Sequence, residues 1–151
     1  MSISNAFQES IFMDESGFNL HTIRNYGYGP KGERISHQVV ANKGQNMSLL
    51  AAIAYGGFVL GEVIDGPYNR LKVCEFIRRL RTRNTWGARF LVMDNAKIHK
   101  GEEVQQAAAE AGLEIVYLPP YSCDLSPIET YFSVLKSYYK VTRKSSRLEA
   151  K

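Results

Sequence analysis

The segment that decides the fold reads FLVMDNAKIH and covers residues 90–99. Its first four residues are apolar and predict a short buried strand, which stops at Asp94. Downstream, residues 102–111 are rich in alanine and predict a helix that a glycine closes. Residues 113–118 predict another strand, and a last helix begins after a double proline. The order strand, helix, strand, helix is typical of an α/β fold.

A central hairpin and a basic helix precede this segment. Residues 47–55 are almost wholly apolar, a Gly-Gly pair follows, and residues 58–64 are apolar again, so they predict two strands joined by a turn. After Gly66-Pro67 the apolar residues recur every three or four positions with arginines between them, which predicts an amphipathic helix with a basic outer face. The apolar positions of this helix are Val73, Phe76, Ile77 and Leu80.

The N-terminal part of the chain is predicted to begin with another hairpin. The apolar run at 11–13 ends at the turn-prone cluster 14–17, and residues 19–24 form a second extended arm. The glycine-rich stretch 26–32 predicts an exposed loop, after which residues 35–40 resume an extended course. We therefore expect a sheet covered by helices.

Composition limits the class of protein. The chain has 151 residues, 44% hydrophobic and 23% charged, which suits one globular domain with a single core. No apolar run is long enough to span a membrane, and the start of the sequence lacks the pattern of a secretory signal. Cys74 and Cys123 lie far apart and are expected to be free thiols. We expect a soluble intracellular protein, whose net charge of +4 permits a polyanionic partner without requiring one.

Three carboxylates stand where a metal site could form. Asp14 and Asp94 each follow an apolar strand candidate, so they would face each other if the two strands were neighbours. Glu129 lies one turn into the last helix and could complete the cluster. Carboxylate oxygens are the ligands that Mg²⁺ and Mn²⁺ prefer, and two such ions activate a nucleophile and stabilise the leaving oxygen of a phosphodiester.

Each carboxylate also has an ordinary structural interpretation. Asp14 could initiate a turn, and Asp94 could belong to a plain loop after a strand. Glu129 falls in the pattern Ser-x-x-Glu, which makes it a candidate capping-box partner for the backbone N–H of Ser126. Asp124 and Glu15 are nearby acids that could replace members of the cluster.

Three blocks of the sequence decide between these interpretations. They read FMDESGF at 12–18, VMDNAKIH at 92–99 and LPPYSCDLSPIE at 118–129. In this order they resemble the signature blocks of mariner-related DDE transposases. The 34 residues between Asp94 and Glu129 match the spacing typical of members whose third acid is glutamate. The resemblance covers nearly the whole chain.

This resemblance implies an α/β fold of the RNase H-like class, the retroviral integrase superfamily, with a mixed sheet flanked by helices. It implies that Asp14, Asp94 and Glu129 are both the catalytic residues and the metal ligands. The implied cofactor is Mg²⁺ or Mn²⁺, bound as two ions, with no organic cofactor. The implied partner is DNA, as transposon ends and target, with a homodimer possible and no membrane.

Two features depart from the family pattern. Cys123 stands where the family usually has proline, a minor change in a loop. Such transposases also carry helix-turn-helix modules ahead of the first aspartate, whereas 13 residues precede Asp14. We expect a catalytic domain at 1–141, a basic, flexible tail at 142–151, and no N-terminal helix-turn-helix domain.

Several basic residues are candidates for DNA contacts. The arginines of the predicted basic helix could follow phosphates, although a charged helix face is often only solvated. His99 could contact DNA or the scissile phosphate, or it could be a hydrogen-bonded structural residue. Basic and aromatic residues near the C-terminus could also contact nucleic acid or lie in a disordered tail. The candidates are Arg78, Arg79, Lys97, His99, Lys136 and Lys140.

Three functional hypotheses remain at this point. The first is a transposase catalytic domain that cleaves DNA and transfers strands through the Asp-Asp-Glu triad. The second is a catalytically silent, truncated or domesticated remnant that binds DNA or assists assembly. The third is an RNase H-like nuclease that acts on RNA hybrids. A nucleus would suit a eukaryotic source, and the cytoplasm a bacterial one.

Overall fold

Strands and helices alternate along the chain from residue 57 onward. The computed structural model describes residues 3–19, 31–32, 46–85, 87–120, 122 and 125–149. In chain order the elements are α1 (Ile3–Gln8), β1 (Ser10–Asn19), β2 (Asn46–Ala54), β3 (Gly57–Asp65), α2 (Arg70–Arg83), β4 (Phe90–Met93), a 3₁₀ turn (Lys97–His99), α3 (Glu102–Glu110), β5 (Glu114–Tyr117) and α4 (Pro127–Glu149).

The five strands form one mixed sheet in the order β3-β2-β1-β4-β5. β1 pairs antiparallel with β2 along its length, and β2 pairs antiparallel with β3. On its other side β1 pairs parallel with β4, and β4 pairs parallel with β5. β1 is therefore the central strand, and its parallel pairing with β4 ends at the pair Phe12 and Val92.

Helices cover both faces of this sheet. Ile11 and Met13 share a core with α2 and α3, whereas Phe12 packs with α4 on the opposite face. This alternation follows from the pleat, which points successive side chains of a strand to opposite faces.

α2 begins after Asn69, whose side chain accepts a hydrogen bond of 3.0 Å from the backbone N–H of Lys72. The predicted apolar positions of α2 are buried: Val73, Phe76, Ile77 and Leu80.

The prediction of a turn at residues 14–17 is wrong. β1 runs without interruption from Ser10 to Asn19, and residues 14–17 pair with β2. The apolar strand β2 supplies hydrogen-bond partners along this whole stretch, and Ser16 is buried. Pairing with a neighbouring strand thus outweighs the local turn preference of Asp, Ser and Gly. The predicted extended segments at 20–24 and 35–40 lie outside the described residues, as does most of the loop at 26–32.

The remaining elements agree with the sequence prediction. β2 and β3 form the predicted hairpin, whose turn ends at Gly57 with a φ of 118°, a conformation that favours glycine. β4, α3 and β5 lie where they were predicted, within a residue or two at each end. The short α1 was not predicted.

The last helix extends beyond the predicted domain boundary. The tail from residue 142 was expected to be flexible, but the backbone of α4 stays helical to Glu149. No change of secondary structure therefore marks residue 142, and the division into a domain and a tail stays a prediction. In the part of the chain that the structure describes, no helix is long and apolar enough to cross a membrane.

Candidate active site

The sheet and the last helix bring the three predicted carboxylates to one cleft. Asp14 lies two residues beyond Phe12 on β1, and Asp94 lies two residues beyond Val92 on β4, so both follow the last residue pair of the two strands. α4 packs on the face of the sheet where Phe12 lies and carries Glu129 in its first turn. The cleft has a volume of about 360 Å³ and is lined by Met13, Asp14, Asp94, Asn95, Ala96, Leu118, Pro120, Ser122, Ser126 and Glu129.

The carboxyl group of Asp14 has a raised pKa in the cleft. Its side chain is partly buried, and its Oδ1 accepts a hydrogen bond of 2.7 Å from the backbone N–H of Glu15. The pKa of Asp14 is raised to about 6, chiefly by burial and to a smaller extent by the negative charges of Asp94 and Glu129, against the lowering effect of that hydrogen bond. The cleft therefore favours a proton or a cation beside Asp14.

Asp94 is held by two hydrogen bonds that both fall on Oδ1. The backbone N–H of Ala96 donates to this oxygen at 3.1 Å, and Nδ1 of His99 lies 2.6 Å from it. The first contact is an Asx turn, which the sequence Asp-Asn-Ala forms readily. The 3₁₀ turn then directs the ring of His99 back toward the carboxylate. The side chain of Asp94 itself is 54% exposed.

His99 is not available to DNA in this structure. It is 1% exposed, and the hydroxyl of Tyr117 donates a hydrogen bond of 2.8 Å to its backbone carbonyl. Its burial and hydrogen bonds favour the alternative interpretation, a hydrogen-bonded residue inside the protein, and contact with DNA stays a prediction. The 3₁₀ turn is the physical reason for this burial, because it points the ring into the core rather than outward.

The other predicted DNA contacts divide into two groups. Arg78 and Arg79 lie on α2, across the sheet from the cleft, and form ion pairs of 2.6 Å with Glu110 and 2.9 Å with Glu62. The structure therefore does not bring them to the carboxylates.

The second group lies on the elements that carry the carboxylates. Lys97 is exposed in the 3₁₀ turn that follows Asp94. Lys136 lies on α4, two helical turns beyond Glu129, with its Nζ 5.8 Å from the ring centroid of Phe18. The side chain of Lys140 lies outside the described part of the chain.

Of the two substitute acids, Glu15 does not join the cleft. Glu15 follows Asp14 on β1, so its side chain points to the opposite face, toward Tyr68. Burial is the main cause of the raised pKa of Tyr68, and the charge of Glu15 makes a smaller contribution. Asp124 lies outside the described residues. The sequence did not identify Ser122 and Ser126 as lining residues. Ser126 was predicted only as a helix cap, and its position next to Glu129 was the signal that could have placed it at the cleft.

The carboxylates of the cleft are suitable ligands for a hard divalent cation, although in this structure their side chains are too far apart to hold one ion together. Carboxylate oxygens are the ligands of Mg²⁺ and Mn²⁺, and the pKa of Asp14 is raised by burial and by the nearby charges of Asp94 and Glu129, which a cation would offset. Among the described residues, no three histidine, cysteine, aspartate or glutamate side chains are close enough to hold one ion. Joint coordination by Asp14, Asp94 and Glu129 would require their side chains to move closer.

Comparison with known proteins identifies the class of this fold. The family model described as DDE superfamily endonuclease matches residues 9–150, which confirms the resemblance drawn from the three sequence blocks. No curated protein matches the sequence.

Solved structures of low sequence identity share the fold. The Mos1 transposase paired-end complex with left transposon end is 17% identical with a TM-score of 0.72, over 91% of this chain and 46% of that chain. The Mos1 mariner paired end complex with Mn is 19% identical with a TM-score of 0.69, over 96% and 49%. The simian T-cell lymphotropic virus intasome in complex with PP2A regulatory subunit B56 gamma is 14% identical with a TM-score of 0.65, over 91% and 42%. The chain thus spans less than half of each of these chains, and its mixed sheet flanked by helices is the predicted RNase H-like fold.

Proposed function

Because the chain belongs to the DDE superfamily of endonucleases, we propose that it is a transposase catalytic domain that cleaves DNA and transfers strands through Asp14, Asp94 and Glu129. The observation that carries this proposal is the shared cleft, in which neighbouring strands and the first turn of α4 contribute one carboxylate each. The raised pKa of Asp14 supports it, since a carboxylate cluster of this kind must take up protons or cations.

Asp14 and Asp94 would share the cations, and Glu129 would hold the second one. When bound, the two Mg²⁺ or Mn²⁺ ions supply activation of a water or DNA 3′-hydroxyl and stabilisation of the leaving oxygen. The chain's own contribution is to hold the carboxylates on a rigid sheet. Asp14 lies in the middle of β1, which pairs with β2, and contacts of Oδ1 with Ala96 and His99 hold the carboxylate of Asp94.

DNA is the proposed partner, as transposon ends and as target. The support comes from the Mos1 structures of similar fold, which are described as a paired-end complex with left transposon end and as a strand transfer complex. Lys97 and Lys136 are the proposed DNA contacts, because they lie on the elements that carry Asp94 and Glu129. A homodimer is proposed by analogy with paired-end assembly.

A second candidate function is a DNA-binding or assembly protein without catalysis. One observation favours it: within the described residues no three possible ligands are close enough to hold one metal ion. In that case the carboxylates would be present in the cleft but would take no part in a reaction.

Metal-dependent cleavage distinguishes the two functions. We expect the wild-type protein to nick supercoiled DNA and to join 3′-hydroxyl ends to target DNA with Mn²⁺ or Mg²⁺, and to lose both activities with a chelator. The Asp94→Asn variant should be inactive, because it removes a ligand charge. Asp65→Asn is the matched control, since Asp65 is an exposed aspartate at the end of the edge strand β3. Nicking that Asp94→Asn retains would exclude the triad, and an inactive wild type that still binds DNA would favour the second function.

A further inference from the structure

Among the described residues, His99 is the one histidine, lysine, arginine, aspartate or glutamate that is buried in the core, and it lies directly behind the cleft. The backbone holds it on two sides, because its N–H donates to Ala96 at 3.1 Å and its carbonyl accepts from the Tyr117 hydroxyl at 2.8 Å. The ring is thus fixed relative to the strand ends that carry Asp94. Its position is set by the fold and does not depend on DNA.

Among the described residues, the ring makes one polar contact, which is with Asp94. Because a carboxylate accepts hydrogen bonds, Nδ1 of His99 carries the proton that lies on the 2.6 Å line to Oδ1. A neutral ring then presents Nε2 as a lone pair. This atom is buried and has no hydrogen-bond partner in the described part of the chain.

An unpaired polar atom in the interior destabilises the folded state. A purely structural role would therefore be filled better by an apolar side chain of similar size. The contact with Asp94 is the feature of His99 that an apolar residue could not reproduce. A role in the cleft thus accounts for the buried ring better than packing does.

The consequence for Asp94 concerns which of its oxygens is free. Both hydrogen bonds use Oδ1, from Ala96 and from His99, so the torsion of the carboxylate is held from two directions. A cation bound by Asp94 would then use Oδ2. Hydrogen-bonded partners of this kind orient metal ligands, and their loss weakens metal binding.

We propose that His99 is a positioning residue, which donates its Nδ1–H to Asp94 and so presents the other carboxylate oxygen to a divalent cation. This inference rests on the proposed metal-dependent function. It assigns His99 no contact with DNA, with the cation or with the reacting phosphate.

The test compares Mn²⁺ affinity in the absence of DNA, measured by calorimetric titration. His99→Leu removes the donor and keeps an apolar group of similar bulk, and we expect it to weaken Mn²⁺ binding about tenfold. His99→Asn places an amide N–H at the same point along the side chain as Nδ1, and we expect it to restore most of the affinity. Val73→Ala truncates a fully buried residue on α2 and controls for loss of stability, so it should bind Mn²⁺ like the wild type.

The outcomes separate this inference from the proposed function. If the wild type does not bind Mn²⁺, or if Asp94→Asn binds it equally well, the proposed function fails and the inference with it. If the wild type binds, Asp94→Asn does not, and folded His99→Leu binds like the wild type, the inference alone is overturned.

A spectroscopic measurement covers the case in which His99→Leu does not fold. Nitrogen-15 spectra of the wild-type imidazole should show Nδ1 protonated and Nε2 bare, and Asp94→Ala should shift the Nδ1 signal. A proton on Nε2 with a bare Nδ1 would overturn the inference.

Discussion

Replacing Asp14 by asparagine is expected to stabilise the metal-free protein at neutral pH. Asparagine has nearly the shape of aspartate, and its side-chain oxygen can still accept the hydrogen bond from the N–H of Glu15. The variant therefore removes a charge while it keeps the local contact. The charge is unfavourable in the absence of a cation because it is partly buried and faces Asp94 and Glu129.

The size of the effect follows from the pKa of Asp14. Folding raises this pKa from 3.8 to about 6. Each pKa unit corresponds to about 1.4 kcal/mol, so the charged carboxylate costs at most about 3 kcal/mol. Because the side chain is only partly buried, solvent screening lowers this figure, and we expect about 1–3 kcal/mol.

The sign of the pH dependence is fixed by the direction of the shift. The folded protein binds the proton of Asp14 more tightly than the unfolded chain, so the contribution of Asp14 to stability is greatest below pH 4 and falls as the pH rises to about 6. Above that pH the penalty is constant. The Asp14→Asn variant lacks it, so the difference in the free energy of unfolding should be small near pH 4 and reach its full size near pH 7.

Urea unfolding at a series of pH values measures this difference, with a chelator present and with Asp65→Asn as the matched control. Addition of Mn²⁺ should reduce this difference at neutral pH. At ten times the dissociation constant the ion stabilises the wild type by roughly 1.4 kcal/mol and should not stabilise Asp14→Asn. A stability difference that is the same at pH 4 and pH 7, or a destabilised variant at pH 7, would refute the reasoning.

Three further predictions concern the surface and the core. Lys97→Ala should weaken DNA binding and reduce by about one the slope of the logarithm of the binding constant against the logarithm of the salt concentration. Arg78→Ala should leave the affinity and this slope unchanged, because Arg78 is paired with Glu110 on the far side of the sheet. DNA titrations at several salt concentrations check this, and equal losses in the two variants would contradict it. Phe76→Ala should lower the free energy of unfolding by about 3–5 kcal/mol, because the ring is fully buried beneath the sheet. Urea unfolding measures this loss, and a loss under about 1 kcal/mol would show that the core around Phe76 is not packed as described. Gly112→Ala should cost roughly 1–2 kcal/mol through backbone strain alone, because φ is 74° and, apart from the adjacent residues, no atom of the described part of the chain lies within 4 Å of the added methyl group. An unchanged thermal midpoint would contradict this.

The local elements of the fold were predictable from the sequence. The hairpin β2–β3 followed from two apolar runs around a Gly-Gly turn, and α2 followed from its apolar spacing of three and four residues. β4 and β5 followed from short apolar runs that end at a polar or proline stop. These signals are short-range, since helix and strand periodicity and turn chemistry depend on residues close together in the chain.

The site was predictable in part. The three blocks of sequence identified the carboxylates and their order, and Asp94 indeed follows a buried strand next to the one that carries Asp14. Asp14 itself was assigned to a turn, although it lies in the middle of β1. That error arose because the strand partner of residues 14–17 is more than 30 residues away in the chain.

The sequence by itself determined the class of fold, the family and the candidate carboxylates, because each of these rests on local patterns or on the three blocks. Only the tertiary structure decided which side chains share the cleft. In the folded protein Glu15 lies on the opposite face of β1, Arg78 forms an ion pair with an acidic residue on another helix, and His99 is buried against Asp94. Burial and pairing depend on residues that are distant along the chain, and the packing of the sheet between its helices brings them together.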